Sequence, residues 1–429
     1  MKIIIVGGGI GGLATYHALR KHLPSNTTIS IYEAYPNSLS TTTIVGGGIG
    51  LAPNGQRSLA SISPSAVDYI TSRGMAVPAF TFRNEQGKLL GRLNTGDQQR
   101  YGFSSVMVPR AVVHESLLVG VDGVSDMEHL VTWGKKVKEV RETASLVEVL
   151  FEDGAVDTCD LLIGADGVRS ICKEAVVGNG YPADYDGLTG IGGFLPFSSL
   201  SPALQEGLKV DPMTMTFSRS GFFGLGLCSN PSMPPDQQQM MWWSTYAVDP
   251  PLPRDTPPSQ VAVQLLGRHG DWSSPYDEDD FKVFKEVITM GCTPSSLGNA
   301  DTGPNPKQFL VLPRYITPEL PHWTSASTQN GHGRIFLLGD AAHAMPPDSG
   351  QGVSCAAEDA LTISLLLKGY LGQYSEMEAI RQAGIAYEAL RIPRVKQILA
   401  FAKRNGNQKR EISWLGEKIR DWALWIVSE

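Results

Sequence analysis

The chain has 429 residues, of which 42% are hydrophobic and 18% charged, and a formal net charge of −7. That length accommodates two domains with sizeable cores, and the composition is ordinary for a soluble globular protein. The acidic balance argues against a nucleic-acid partner, because phosphate backbones call for a basic field. Cys159, Cys172, Cys228, Cys292 and Cys355 are widely spaced, with no CxxC and no metal-ligand spacing. No metal is expected, and a reducing compartment, the cytoplasm, is. The apolar start is too short for a signal peptide, and no apolar run approaches the ~18–20 residues that span a bilayer.

Residues 2–6 read as a short, β-branched, uncharged strand of the fully buried parallel kind. Gly7-x-Gly9-x-x-Gly12 follows and opens an amphipathic helix carrying Leu13, Tyr16, His17, Leu19 and Arg20. In such a motif the first glycine makes the tight turn and the second lets backbone approach a pyrophosphate. The third lets the helix pack close on the strand, and the helix N-terminus faces the phosphate charge. Residues 28–32 form a second strand, ended by Glu33. A carboxylate there can accept both ribose hydroxyls of an adenosine. Together these elements predict a dinucleotide site.

A second glycine stretch, Val45-Gly46-Gly47-Gly48-Ile49-Gly50-Leu51, lacks the third glycine. Pro53-Asn54-Gly55 then turns the chain before the next helix can start. It reads as a loop near the cofactor, with Gly47 letting backbone approach a ring, and not as a second nucleotide fold. Residues 79–83 and 88–92 read as a hairpin. Arg110 begins a helix, where a cation opposes the helix dipole; it is either solvated or serves a phosphate. Residues 136–140, 146–151 and 156–163 read as three strands. Asp166-Gly167 follows the last, either as a turn and helix cap or as part of a ligand site at a strand's carboxyl end.

From about residue 175 to 298 prolines cluster and apolar runs lose helical period, which predicts an antiparallel sheet with proline-rich loops. Trp242, Trp243 and Tyr246 read as sheet packing sooner than as substrate stackers, and Arg219 sits at a turn. Residues 261–268 and 280–290 look helical. Residues 335–338 form another buried strand, closed by Gly339-Asp340. Gly350-Gln351-Gly352 opens a helix that runs to Leu367 and contains Val353. Its free N–H groups suit a ring that becomes negative on reduction, as a flavin does. His343 is a structural histidine or a catalyst. Residues 411–427 are helical by pattern, with Leu415, Ile419, Trp422 and Ile426 on one face, for packing on the first domain or for a membrane or dimer contact.

In that order the motifs Gly7-x-Gly9-x-x-Gly12 with Glu33, Pro109-Arg110, Gly164-Ala165-Asp166-Gly167 and Gly339-Asp340-Ala341-Ala342-His343 span nearly the whole chain. The sequence resembles the group A flavoprotein monooxygenases, the family of para-hydroxybenzoate and salicylate hydroxylases. The resemblance implies an α/β fold: a Rossmann-like, GR2-type FAD-binding domain with an inserted, mostly antiparallel substrate sheet and C-terminal helices. The expected divisions are 1–175 and 301–372 for the FAD domain, with the 79–92 hairpin on the substrate side, 176–300 for the sheet and 373–429 for the helices. It implies that Glu33 binds the FAD ribose, Arg110 the diphosphate and Asp340 the ribityl or pyrophosphate end. Gly47 and Val353 would lie near the flavin, and Asp166 would serve FAD and reduced nicotinamide together.

The implied reaction uses NAD(P)H and O2 to insert one oxygen into a small apolar or aromatic metabolite through a flavin C4a-hydroperoxide. Hydroxylation, epoxidation and Baeyer–Villiger insertion all fit, as does a place in secondary metabolism. The alternatives are a flavin dehydrogenase or reductase, or a silent flavin-binding interaction protein. A halogenase is disfavoured, since no Trp-x-Trp-x-Ile-Pro occurs. Some relatives carry an arginine in the first strand of the substrate sheet. Residues 190–196 here hold none, so the expected site is smooth and apolar, with Arg219 and Tyr246 as its polar contacts. A monomer or homodimer is expected.

Overall fold

A computed structural model describes residues 1–38, 40, 47–119, 130–219, 221–293 and 309–427. Ile3, Ile4 and Ile5 are wholly buried, as a strand covered on both faces requires. Lys2–Val6 lies at the centre of a five-stranded parallel sheet in the order Ile335–Leu337, Leu161–Gly164, Lys2–Val6, Thr28–Tyr32, Val131–Thr132. The chain fills the sheet to one side of Lys2–Val6 first and to the other side later. The crevice at that switch point, beyond the carboxyl ends of the strands, is where such sheets bind ligands. Gly7, Asp166 and Gly339 all follow strands at that edge.

The strand expected at 156–163 is two strands. Val156–Cys159 joins a three-stranded antiparallel sheet with Val147–Phe151 and Val137–Glu142, and Leu161–Gly164 joins the parallel sheet. Asp160 marks the break, its carboxylate accepting the Lys2 amide at 2.6 Å. Of the second glycine stretch, residues 45 and 46 lie outside the described residues. Gly48–Leu51 is a strand paired antiparallel with Val106–Pro109. Helix Pro53–Ile62 follows at once, not after a turn, because proline at the first helical position sacrifices no hydrogen bond.

A seven-stranded sheet has the order Phe309–Ile316, Asp184–Pro196, Gln239–Ala247, Phe222–Leu227, Met213–Phe217, Ala79–Asn84, Leu89–Asn94. It is antiparallel except where Met213–Phe217 meets Ala79–Asn84. The strand Phe309–Ile316 and the helix Pro202–Val210 were not foreseen. Side chains alternate between the sheet's faces. Met240, Trp242 and Tyr246 pack with Val261, Leu265, Phe284 and Val287 of helices Pro258–His269 and Val283–Cys292. Met241 and Trp243 face the other way, into a group with Met107, Phe194, Met213 and Met215. A side chain on Gly48 would strike Met241, so this face abuts the first domain.

Two helices end the chain, Glu376–Asn407 and Trp414–Val427. The last lies along Leu89–Asn94 of the seven-stranded sheet, with Leu424 against the Phe82, Phe217 and Phe222 group. The expected apolar face is therefore not the packed one: Leu415 is 61% exposed and Trp422 63%. Among the described residues no helix is long and apolar enough to cross a membrane. No group of His, Cys, Asp and Glu among them could hold a metal ion.

Candidate active site

The glycines of the first motif divide by what surrounds them. Gly7 has φ 112°, and a side chain there would strike the Ala165 carbonyl; one at Gly12 would strike the Gly7 carbonyl. Both are required by packing. At Gly9 the space is open, with the Arg110 Nη2 as the nearest atom, 3.8 Å from where a Cβ would stand. Helix Ile10–His22 begins beside it with no capping side chain, so its first amides are available to an anion. The Glu33 carboxylate is fixed at the tip of Thr28–Tyr32 by the amides of Gly8 at 2.7 Å and Tyr35 at 2.9 Å. Each oxygen keeps a lone pair for a ribose hydroxyl. Burial pulls the Arg110 guanidinium below its usual pKa, while the Asp340 and Glu33 carboxylates pull it back up. Such a cation gains from a diphosphate beside it.

Asp166 caps the helix Ile171–Val177. Its carboxylate accepts from the Ser170 hydroxyl at 2.6 Å and from the amides of Ile171 at 2.8 Å and Cys172 at 3.1 Å. Burial pushes its carboxyl pKa up against the pull of those hydrogen bonds. Its backbone still lines the crevice beside Gly7.

At the other end, Gly339 (φ 57°) and Gly350 (φ 61°) bend the loop around Asp340, which is exposed to the crevice. No atom lies within 4 Å of where a Cβ would stand on Gly47, Gly350 or Gly352. This bare backbone, with the N-terminus of helix Gly352–Leu371, leaves a flat cradle. A buried network supports it from behind. Asp359 accepts from the Gly339 amide at 3.1 Å, from Arg391 Nε at 2.7 Å and from His343 Nε2 at 2.7 Å. His343 is thus a structural histidine. Burial alone would raise the Asp359 pKa; His343 and Arg391 outweigh it and bring it down to about 2.

One cavity of about 760 Å³ joins these parts. Gly7, Gly9, Glu33, Arg110, Asp166, Asp340, Gly350, Gly352 and Val353 all line it, as do Gly48 and residues 312–316 of the seven-stranded sheet. Gly47 flanks it, its carbonyl accepting the Arg110 amide at 2.8 Å. Two expected contacts are corrected. Tyr246 sits on the helix-covered face, its hydroxyl 3.0 Å from Gln264 and its ring under Arg268, because residue 246 has the same parity as Trp242. Arg219 is exposed, and its carbonyl accepts the Ile412 amide. Neither reaches the cavity. From the sheet, Arg314 and Tyr315 line it; sequence reasoning missed both, since a lone Pro-Arg-Tyr carries no motif.

Open glycine cradles at both ends, a ribose-ready carboxylate and an enclosed arginine between them fit an extended dinucleotide with a flat ring. A family described as "FAD binding domain" matches residues 317–402, the ring-side segment. The 6-methylsalicylate 1-monooxygenase of Aspergillus terreus is 26% identical, covering 94% of this chain and 82% of its own. The 3-amino-4-hydroxybenzoate 2-monooxygenase of Streptomyces cremeus is 27% identical, covering 94% and 86%. The chain is an FAD-dependent monooxygenase. Among solved structures, Klebsiella pneumoniae HpxO in complex with FAD and uric acid has the same fold, with a TM-score of 0.77 over 99% of this chain and 93% of its own at 22% identity. FAD is the monooxygenase's cofactor, and both glycine motifs line the one cavity.

Proposed function

We propose that this monooxygenase uses NAD(P)H and O2 to place one oxygen atom on a small, planar, aromatic metabolite. The observation that carries this reading is the single cavity shared by the dinucleotide cradles and the edge of the seven-stranded sheet. A substrate on the sheet would meet the ring end of the cofactor there. FAD, when bound, supplies hydride acceptance and oxygen activation. The chain's own residues do the rest. Gly9, the amides that follow it and Arg110 hold the diphosphate, and Glu33 the adenosine ribose. Asp340 takes a hydroxyl of the ribityl chain. The amides at the start of Gly352–Leu371 face the ring edge where negative charge collects. Met241, Trp243, Phe194 and Met215 form an apolar group on the sheet face turned toward the first domain, where they would help keep water from a bound substrate. Asp166 lies where FAD and a reduced nicotinamide would both pass.

The relatives act on ring compounds bearing acidic groups, such as 6-methylsalicylate and 3-amino-4-hydroxybenzoate, and those are the first substrates to try. The expected result is NAD(P)H oxidation stimulated by substrate, with oxygen uptake and a product one oxygen atom heavier. If peroxide formation matched NAD(P)H consumption for every ring compound tried, oxygen transfer would be wrong. Asp340→Ala is expected to purify with FAD occupancy cut several-fold; full occupancy would remove Asp340 from the site.

A further inference from the structure

A helix at a protein surface normally turns its apolar stripe inward and its charges outward. The last helix, Trp414–Val427, does the reverse. Arg420 and Leu424 face the protein, Arg420 donating to the Ser218 carbonyl and Leu424 packing on the Phe82, Phe217 and Phe222 group. Both carboxylates of the helix are drawn to that side by Arg420, Asp421 at 3.0 Å and Glu417 at 3.9 Å. Their side chains are only 16% and 12% exposed. Trp414, Leu415, Ile419, Trp422 and Trp425 are instead between 51% and 63% exposed. Spacings of three and four residues set them in one stripe. Lys418 is exposed within it, one turn from Trp414 and one turn from Trp422. Among the described residues of the helix, no carboxylate shares that face.

Length, area and charge decide what covers the stripe. The helix has 14 residues and is about 21 Å long. That is short of the ~30 Å hydrocarbon core, so it can lie on a bilayer without crossing one. At 150–250 Å² for a whole side chain, the three tryptophans together expose roughly 260–440 Å². A stable protein interface takes about 800 Å² from each partner, more than these rings and two aliphatic side chains supply. A second copy laid on the same stripe would also bring both Lys418 side chains into an apolar contact with no carboxylate to pair them. A lipid surface meets neither difficulty. An indole has an apolar body and one N–H donor, which suits the boundary between headgroups and acyl chains. The Lys418 stem can lie along that boundary while its ammonium reaches a headgroup phosphate.

We propose that the helix Trp414–Val427 docks this protein on a phospholipid surface, its tryptophans set in the headgroup layer and Lys418 on lipid phosphate. The helix lies along the strand Leu89–Asn94, whose Leu89 and Leu93 are also exposed. Docking therefore holds that edge of the seven-stranded sheet at the lipid. No residue of the stripe lines the cavity, so the proposal stands apart from the monooxygenase reading.

The test uses the full-length FAD-loaded protein. It is sedimented with vesicles of phosphatidylcholine and phosphatidylserine in a four-to-one ratio, and its tryptophan emission is read with and without brominated phosphatidylcholine. Wild type should pellet with the vesicles, and the brominated lipid should quench it. The double variant Trp414→Ser, Trp422→Ser should bind the vesicles tenfold or more weakly, with FAD occupancy and thermal midpoint unchanged. Lys418→Glu should weaken binding several-fold, and more on these vesicles than on phosphatidylcholine alone. The proposal is overturned if wild type stays in the supernatant, if the double variant pellets as wild type does, or if Lys418→Glu binds as wild type does. It is also overturned if the double variant loses FAD or stability, which would make the stripe part of the fold. A lipid-free dimer in analytical ultracentrifugation that the double variant breaks would assign the stripe to a second copy instead.

Discussion

Gly9 and Gly12 look alike in the sequence, but substitution separates their roles. Gly9 has φ −75°, which alanine adopts freely, and open space beside it. Gly9→Ala should leave the apoprotein's thermal midpoint unchanged and weaken FAD binding by tenfold or more, since the methyl group takes the phosphate's place. Gly12→Ala forces a methyl into the Gly7 carbonyl and should destabilise the apoprotein by about 1–3 kcal/mol. Calorimetry and flavin titration on the two variants check this; equal effects would deny the division. Asp359 gives a pH prediction. Its folded pKa of about 2 lies below the roughly 3.9 of an unfolded aspartate, so folding favours the ionised form. The stabilisation, on the order of 2 kcal/mol, is complete above about pH 5 and is lost as pH falls through about 2. Asp359→Asn should lower the thermal midpoint at pH 7 and flatten the acid-side decline. An unchanged midpoint would mean that the Gly339, His343 and Arg391 contacts carry no stability.

The C-terminal segment acts as an element of the substrate half. Lys409 reaches Asp348, Arg410 donates to the Asp186 carbonyl, and Arg420 donates to the Ser218 carbonyl at 2.8 Å. Leu424 covers the Phe82, Phe217 and Phe222 group. None of residues 408–427 lines the cavity. Truncation after Asn407 should therefore keep the protein yellow while lowering its thermal midpoint. A truncated protein with wild-type stability would contradict this packing. Sequence period found this helix and left its apolar stripe either packed on the first domain or open to a membrane or dimer contact. The stripe of Leu415, Ile419 and Trp422 is exposed, because the segment is anchored by Arg420 and Leu424 on the other side.

At the scale of the whole molecule, the cavity lies where a parallel sheet, its loops and a second sheet converge. The cofactor links them, so FAD at about 100 times its Kd should add about 2.7 kcal/mol of stability. Scanning calorimetry should show the midpoint rising with FAD concentration; no rise would argue against a site that forms only in the folded state. Much of this was legible in the sequence because each nucleotide motif is local. A strand, its glycines and the following helix lie within one stretch of chain, and side-chain requirements at Gly7, Gly12 and Glu33 follow from backbone geometry. The substrate wall was not legible, since its face depends on strand parity and on which sheet face the helices cover. Tyr246 was misplaced for that reason.

The sequence by itself determined the two glycine-rich stretches that border the crevice, the parallel sheet that carries them and the antiparallel character of the inserted region. Those features rest on short-range periodicity and on glycines such as Gly7, Gly339 and Gly350, whose positive φ favours glycine. Only the tertiary structure decided what the cavity presents to a substrate. Arg314 is held at its wall by Asp186, from the bulge at Gly187, and by Asp348, from a proline-rich turn, and Asp348 is paired in turn with Lys409 of the C-terminal segment. No local pattern encodes a meeting of residues 186, 314, 348 and 409, because their contact exists only once both sheets and the last two helices have packed.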